Sequence, residues 1–362
     1  MTYLRIWLSS ALSIACVLAS GCGSSSGDDV ERVGLGADVA LPQRRGTLLL
    51  DGCVIDAWSR STLALPSTKR VASEIILLCA VPRGDGTVGP RDESATRALS
   101  SLVDDLHREG YRAHLGVAFT DESGQRYDGA QASASLADPV WRARFRETLG
   151  TVAAPFDGVE LDLQALPNDA RASVTALVSE LSPVVRPQKS LSVFVPPSVT
   201  EPSDLPGGDA FARRELAPHV DRMRIMTLDF SEAGPGPTID PGWAVDAVRL
   251  ALADFPACDV SYPLYGTDFG PRGRRSATWF EAMALGGAPR TPIERGPTGA
   301  PFVRFSGFGG ELHELWFDDA TSTARALGAW TFDVLPPSVG VLYYGLGAED
   351  PALFESLAAR IP

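Results

Sequence analysis

The run Asp157-Gly158-Val159-Glu160-Leu161-Asp162-Leu163-Gln164 is where this chain could do chemistry. Read as a strand, it sends Val159, Leu161 and Leu163 to one face. Glu160, Asp162 and Gln164 go to the other, because strand side chains alternate with period two. An apolar face under a helix and a polar inner face suit a strand of a closed parallel barrel. Carboxylates are costly to bury unless they are paired or used, so this acidic row is either a site or the paired remains of one. Its last member decides the chemistry. A carboxylic acid at position 164 could donate a proton, whereas the neutral amide of Gln164 cannot usefully do so.

The elements that must position this row recur along the chain. Apolar strand candidates lie at 47–58, 75–81, 113–119, 158–164, 191–195, 223–228, 260–264 and 339–344. Helical patterns separate them. Leu99, Leu102, Val103 and Leu106 fall at i, i+3, i+4 and i+7, and Gly110 ends that stripe. Asp138 caps a helix that opens on Pro139, the favoured place for proline. Val174, Leu177, Val178 and Leu181 repeat the stripe after Asn168, and Asp350-Pro351 opens the last helix. Strands alternating with helices pair in parallel, and eight such units make a (β/α)₈ TIM barrel of the α/β class. An open doubly wound sheet is the alternative, but no Gly-rich phosphate loop supports it. Residues 266–312, rich in Gly, Pro and Arg, are too long for a plain loop and predict a small insertion at the barrel rim after strand seven.

Residues 1–21 read as an export signal: Arg5, then an apolar run too short to span a membrane, ending Leu18-Ala19-Ser20-Gly21-Cys22. Small residues before a cysteine form a lipobox-like site, which makes Cys22 the candidate lipidated first residue of a membrane-anchored envelope protein. The alternative is an ordinary secretory signal. Residues 22–45 then read as a flexible tether, and 46–362 as one domain of steady composition. The net charge is −13, with no basic cluster, which argues against nucleic acid and against anionic membrane surfaces. A neutral or cationic partner, such as an uncharged polysaccharide, fits better. Cys53 and Cys79 lie near the first two strands and could pair in an exported protein, with buried free thiols as the other possibility. The four histidines show no metal-ligand spacing and no Gly-x-Ser-x-Gly elbow is present, so neither a metal, a cofactor nor a serine nucleophile is expected.

The segment 156–164 resembles the strand-four signature Asp-x-x-Asp-x-Asp-x-Glu of glycoside hydrolase family 18, the chitinase family. The bacterial spore-germination, cortex-lytic subgroup is the closest branch. Val193-Phe-Val-Pro-Pro197 is similar to its strand five, and Val220 to Asp229 to its strand six, which ends Met-x-Tyr-Asp. Segments at 234–238, 263–266, 313–319 and 345–351 continue the match in order. The resemblance implies hydrolysis in which the acetamido oxygen of N-acetylglucosamine is the nucleophile. It implies that Asp162 orients that acetamido group, with Glu160 and Asp157 at the earlier acidic positions. Gln164 stands where the family has its acid, Leu228 where it has a tyrosine, and Tyr344 where it has a tryptophan floor.

The expectation is thus a family 18-type barrel acting on or binding N-acetylglucosamine-containing glycans, chitin-like or peptidoglycan, with acid catalysis impaired at Gln164. A catalytically silent glycan-binding protein, or a scaffold using the 266–312 insertion, is the alternative. Met226, Asp229, Tyr344 and Tyr265 are the candidate substrate contacts. Tyr344 is favoured for stacking on sugar and Tyr265 for packing; Trp58 and Trp316 read as packing residues. Asp229 and Glu160 are the candidates for a relocated acid, and Arg224 is placed to neutralise Glu160 or Asp162 as an ion pair.

Overall fold

The computed structural model describes residues 40–91, 99–121, 126–286, 291–307, 309–331 and 334–362. The signal segment, Cys22 and the tether as far as residue 39 lie outside these. Fourteen strands occur among the described residues: β1 (Gly46–Leu50), β2 (Glu74–Pro82), β3 (Val88–Pro90), β4 (Arg112–Ala118), β5 (Gly158–Asp162), β6 (Ser190–Val195), β7 (Arg222–Ile225), β8 (Cys258–Pro263), β9 (Gly266–Gly270), β10 (Gly273–Ala277), β11 (Ile293–Arg295), β12 (Pro301–Ser306), β13 (Leu312–Trp316) and β14 (Gly340–Tyr344). Eight of them close a parallel barrel in the order β1-β2-β4-β5-β6-β7-β8-β14, because β1 pairs with both β2 and β14. Each corresponds to one of the eight expected strands.

Alternation builds two separate apolar regions. Leu48, Ile75, Leu77, Val159, Leu161, Val193, Met223 and Val341 face outward into one large core with the helices. Leu49, Ile76, Leu78, Ala118, Phe194, Leu342 and Tyr344 face inward and fill the upper barrel. The helix stripes fall as expected, including Leu99–Glu109, Pro139–Val152 and Arg171–Val185. Element ends differ. The first strand region stops at Leu50, and Asp56 caps a helix over Ala57–Ala64 by accepting from the Ser59 amide. β5 ends at Asp162 and β7 at Ile225, short of Gln164 and Leu228, since both segments turn away at the barrel mouth.

The expected tether ends too late. Leu41 is buried and its amide donates to the Arg360 carbonyl (2.9 Å). Arg44 donates to the carbonyls of Pro336 (2.7 Å), Val339 (3.0 Å), Leu335 (2.9 Å) and Trp330. A guanidinium offers five donors in a fixed fork, and here it gathers the chain that leads into β14. Residues 41–45 are therefore part of the barrel's foot, the end where the strands begin. Cys53 and Cys79 are buried free thiols, with the Cys53 thiol donating to the Cys79 carbonyl (3.2 Å).

The rim insertion is an antiparallel sheet, β10-β9-β13-β12-β11, with its own small cores. Helix Trp279–Gly286 covers one face, where its Ala282 packs with Val303 and Leu315. On the other face Trp316 stacks on Phe302 at 4.4 Å, a packing role as expected. The sheet rejoins the barrel through Asp318, whose Oδ1 accepts from Tyr262 (2.9 Å) and Ser322 (2.7 Å) while Oδ2 has no partner. Burial pushes this carboxyl up to about 6. The folded state therefore holds its proton more tightly than the unfolded chain. The stability that protonation supplies is complete below about pH 4 and is lost as pH rises through about 6. Asp318→Asn should match the parent protein at pH 4 and exceed it by roughly 3 kcal/mol at pH 7. Urea unfolding at both pH values checks this; an unchanged difference between them rules it out.

Candidate functional site

The acidic row of β5 spans the barrel from foot to mouth, and each member meets a different environment. Asp157 sits at the foot. Its Oδ2 accepts from the Ala113 amide (2.8 Å) and from His107 Nε2 (2.8 Å), clamping helix Leu99–Glu109 to the start of β4. This corrects its assignment as a site residue, since it lies at the end of the barrel opposite the mouth. Gly158 follows where no side chain fits: a Cβ there would stand 2.2 Å from Ser190 Oγ and 2.6 Å from His114 Nδ1.

Glu160 is fully buried inside the barrel, and Arg224 reaches it from β7 as the sequence suggested. Arg224 Nε lies 2.6 Å from Glu160 Oε2, and Nη1 lies 2.6 Å from Asp259 Oδ2 and 3.2 Å from Thr47 Oγ1. Glu74 Oε2 is 3.8 Å from Nη2, and Arg45 and Arg112 close the foot over Asp259 and Glu74. Burial drives the Glu160 carboxyl up to about 7, against the pull of Arg224 and with the help of Asp259 and Asp162. Glu74 ends below the usual carboxylate range: burial would raise it, but Arg224, His114 and Arg112 outweigh that. Glu160 is thus tied into the barrel's lower layer rather than aimed at the mouth.

Asp162 ends β5 at the mouth and is also fully buried. Gln164 Nε2 donates to both its oxygens (2.9 and 3.2 Å), and the Tyr127 hydroxyl donates to Oδ2. A carboxylate only accepts, so the amide nitrogen must be the end of Gln164 that faces it. Tyr127 comes from the segment after β4, where it bridges to Thr120. Its phenol is held well above its ordinary range by burial, then by Asp162, Tyr344 and Asp51. It therefore stays a neutral donor. Sequence reasoning missed Tyr127, because nothing in the 157–164 motif points to a residue 35 positions away.

The opposite wall is aromatic and apolar. Met226 and Leu228 are half-buried against the inner cluster. Asp229 takes a left-handed backbone (φ 55°), uncommon for a residue with a Cβ, and its Oδ1 accepts from the Tyr265 hydroxyl at 2.8 Å. Tyr265 meets Tyr344 edge-on at 6.1 Å, and Tyr344 meets Phe194 at 6.4 Å. Tyr344 is only 6% exposed, so the ring expected to floor a sugar is largely covered. Tyr265, expected to pack, is the one of the pair that reaches solvent more fully. Trp58 packs edge-on against Phe280 at 5.0 Å and donates to Glu349 Oε1 (3.1 Å).

The lower ion cluster should make Arg224 the most sensitive single position. Arg224→Met would leave Glu160 buried without its cation and Asp259 and Glu74 with only Arg45 and Arg112 at the foot, a loss of about 3–5 kcal/mol near neutral pH. Glu160, already raised by burial, would then bind its proton still more tightly folded than unfolded, so the deficit should shrink toward pH 5 and grow as pH rises. Urea midpoints at two pH values test this, and an equal loss at both would contradict it.

No family model matches this sequence, and no curated protein matches it. Solved structures do. The spore cortex-lytic enzyme SleL of Bacillus cereus aligns with a TM-score of 0.74 at 16% identity, over 89% of this chain and 75% of that one. A chitinase from Chromobacterium violaceum aligns at 0.70 and 20% identity, over 86% and 98%. A mutant class V chitinase from Nicotiana tobaccum, solved in complex with NAG4, aligns at 0.66 and 14% identity, over 89% and 98%. The chain has the (β/α)₈ fold shared by family 18 chitinases and SleL cortex-lytic enzymes, as its motifs implied.

Proposed function

We propose that the barrel mouth binds glycans containing N-acetylglucosamine, chitin-like or peptidoglycan strands, and that ordinary acid-assisted hydrolysis is impaired there. One observation carries the reading: the amide of Gln164 is hydrogen-bonded onto Asp162 at the mouth, where the fold's chitinases place their acid by resemblance. Gln164 has nearly the shape of a protonated glutamate and donates to the same carboxylate, so the pocket keeps its geometry. What it lacks is a proton to give, a loss of about 10²–10⁴-fold. The fold's occurrence in a NAG4-bound chitinase and in cortex-lytic enzymes supports the substrate class.

The test is mass spectrometry of an N-acetylglucosamine hexamer incubated for a day with the purified protein and with its Gln164→Glu variant. Cleavage by the variant alone is the expected result. Binding of the hexamer to the parent protein should fall at least tenfold in Asp162→Ala, measured by calorimetry. No binding by the parent protein sinks the reading.

A second reading, a working hydrolase with a relocated acid, rests on Asp229. It stands at the mouth in a strained backbone conformation, beside Tyr265 and Tyr344. Cleavage by the parent protein that disappears in Asp229→Asn would favour it.

We also infer export and anchoring through Cys22. The chain joins the barrel at its foot through Leu41, Arg44 and Arg45, so an N-terminal anchor would leave the mouth unobstructed. Cys22→Ala should abolish incorporation of labelled fatty acid in cells; retained label would place the acyl site elsewhere.

A further inference from the structure

The mouth holds one hydrogen-bonded pair that the resemblance does not assign. Asp162 can only accept, and the neutral phenol of Tyr127 donates to its Oδ2. Leu228, on the opposite wall, has no polar atom to offer. We propose that Tyr127 is the specificity-determining donor of this site: when an N-acetylated sugar binds, the Tyr127 hydroxyl turns from Asp162 to the acetamido carbonyl while the acetamido N–H takes its place on Asp162. The proposal rests on the glycan-binding reading above and names the group that reads the substrate's N-acetyl substituent.

The exchange conserves hydrogen bonds. Before binding, Asp162 Oδ2 accepts from Tyr127, with Gln164 on the same carboxylate at 2.9 and 3.2 Å. Afterwards Asp162 accepts from the ligand N–H, and the phenol donates to the ligand C=O. No buried polar atom loses a partner, which is the condition for burial without penalty. A sugar with a hydroxyl in place of the acetamido group has no carbonyl at that distance. It would leave the Tyr127–Asp162 bond in its path, and a site built to hydrogen-bond a ligand group rejects the analogue lacking it. Asp162 has no exposure in the unliganded protein, so any ligand that reaches it must displace a group from above it. Of its two described donors, Tyr127 is the one whose hydroxyl can be redirected by rotation about a single C–O bond. Gln164 can remain on Oδ1.

The reach of Tyr127 follows from the fold. β4 is the neighbour of β5 in the barrel, with Ala118 beside Asp162. The chain leaving β4 returns through the Thr120–Tyr127 bridge, which sets the phenol over the end of β5. Asp128 then caps helix Gly129–Ala137 by accepting from the Gln131 amide, fixing the segment's far side. Tyr127 is therefore anchored on both flanks, while the hydroxyl itself is free to change partner.

The experiment compares two uncharged probes with the purified protein: β-1,4-linked hexamers of N-acetylglucosamine and of glucose. The parent protein should bind the first more tightly. Tyr127→Phe, which removes only the hydroxyl, should weaken the N-acetylglucosamine hexamer about tenfold and leave the glucose hexamer unchanged, so that the preference collapses. Adding Leu228→Tyr to that variant, which restores a phenol on the facing wall, should bring the preference back. A Tyr127→Phe protein that keeps the parent's preference overturns the proposal while the glycan-binding reading stands. An equal loss for both probes also overturns it, since that is the result expected if Tyr127 only steadies Asp162. A parent protein that binds neither probe removes the underlying reading and the proposal with it. Failure of Leu228→Tyr to restore the lost preference would count against the claim that the two phenols do the same work.

Discussion

The Arg224 guanidinium, fully buried between Glu160 and Asp259, is the constraint on which the barrel depends. Placing a cation and several carboxylates in a protein interior costs several kcal/mol per ion before any attraction is counted. The arrangement survives because the charges interlock. Arg224 holds Glu160 and Asp259, Thr47 bridges Arg224 and Glu74, and Arg45 and Arg112 complete the pairing from the foot. Six of the eight barrel strands, β1, β2, β4, β5, β7 and β8, contribute to this layer, and its polar contacts link strands that are not neighbours. Apolar packing alone is non-directional. A layer of directed charge pairs, by contrast, specifies which strands face each other.

Above it the barrel changes character. Leu49, Ile76, Leu78, Phe194 and Leu342 form an apolar plug between the charged layer and the mouth. The central Arg224 pairs with Glu160 and Asp259 are thus shielded from water, which strengthens them. The mouth itself carries a second polar set, Asp162 with Gln164 and Tyr127, and Asp229 with Tyr265. The two polar layers are built differently. The lower one ties charged groups of several strands to one another, whereas the upper one consists of separate hydrogen-bonded groups at the mouth.

Much of this was legible in the sequence. Alternation in 157–164 identifies the inward row, because burial on both faces leaves only one place for acidic side chains. The ordered strand candidates and Pro139 behind Asp138 identify the barrel, because period and capping are local properties. Arg224 facing Glu160 follows from the same parity argument. The excess length of 266–312 marks the insertion, though not its sheet. Other features depend on distant contacts that carry no local signal. Arg44 anchors residues 41–45 through carbonyls almost three hundred positions away, so composition alone reads them as tether. Asp157 shares the acidic row's spacing but lies at the foot, where its carboxylate serves a backbone amide and His107. Tyr344 is the more covered ring of the Tyr344–Tyr265 pair, a relation that spacing does not carry, and Tyr127 enters through a bridge that spacing does not encode.

These positions decide how much the strand-four motif says about activity. Asp157 is needed for the join between helix and strand, and Glu160 for Arg224. Both would be kept in a barrel that had never met a sugar. Retention of the lower half of the motif is therefore evidence of fold and carries no weight on catalysis. Only Asp162 and Gln164 stand at the mouth end of the motif, and they point in different directions. Asp162 satisfies no structural demand from the layer below, yet it is buried as a carboxylate with two donors supplied for it. A fully buried, hydrogen-bonded aspartate at the end of a barrel strand is the kind of costly group that gathers at functional sites. Gln164 supplies one of those donors while removing the transferable proton. The pair keeps a hydrogen-bonded carboxyl at the mouth and offers no transferable proton from position 164.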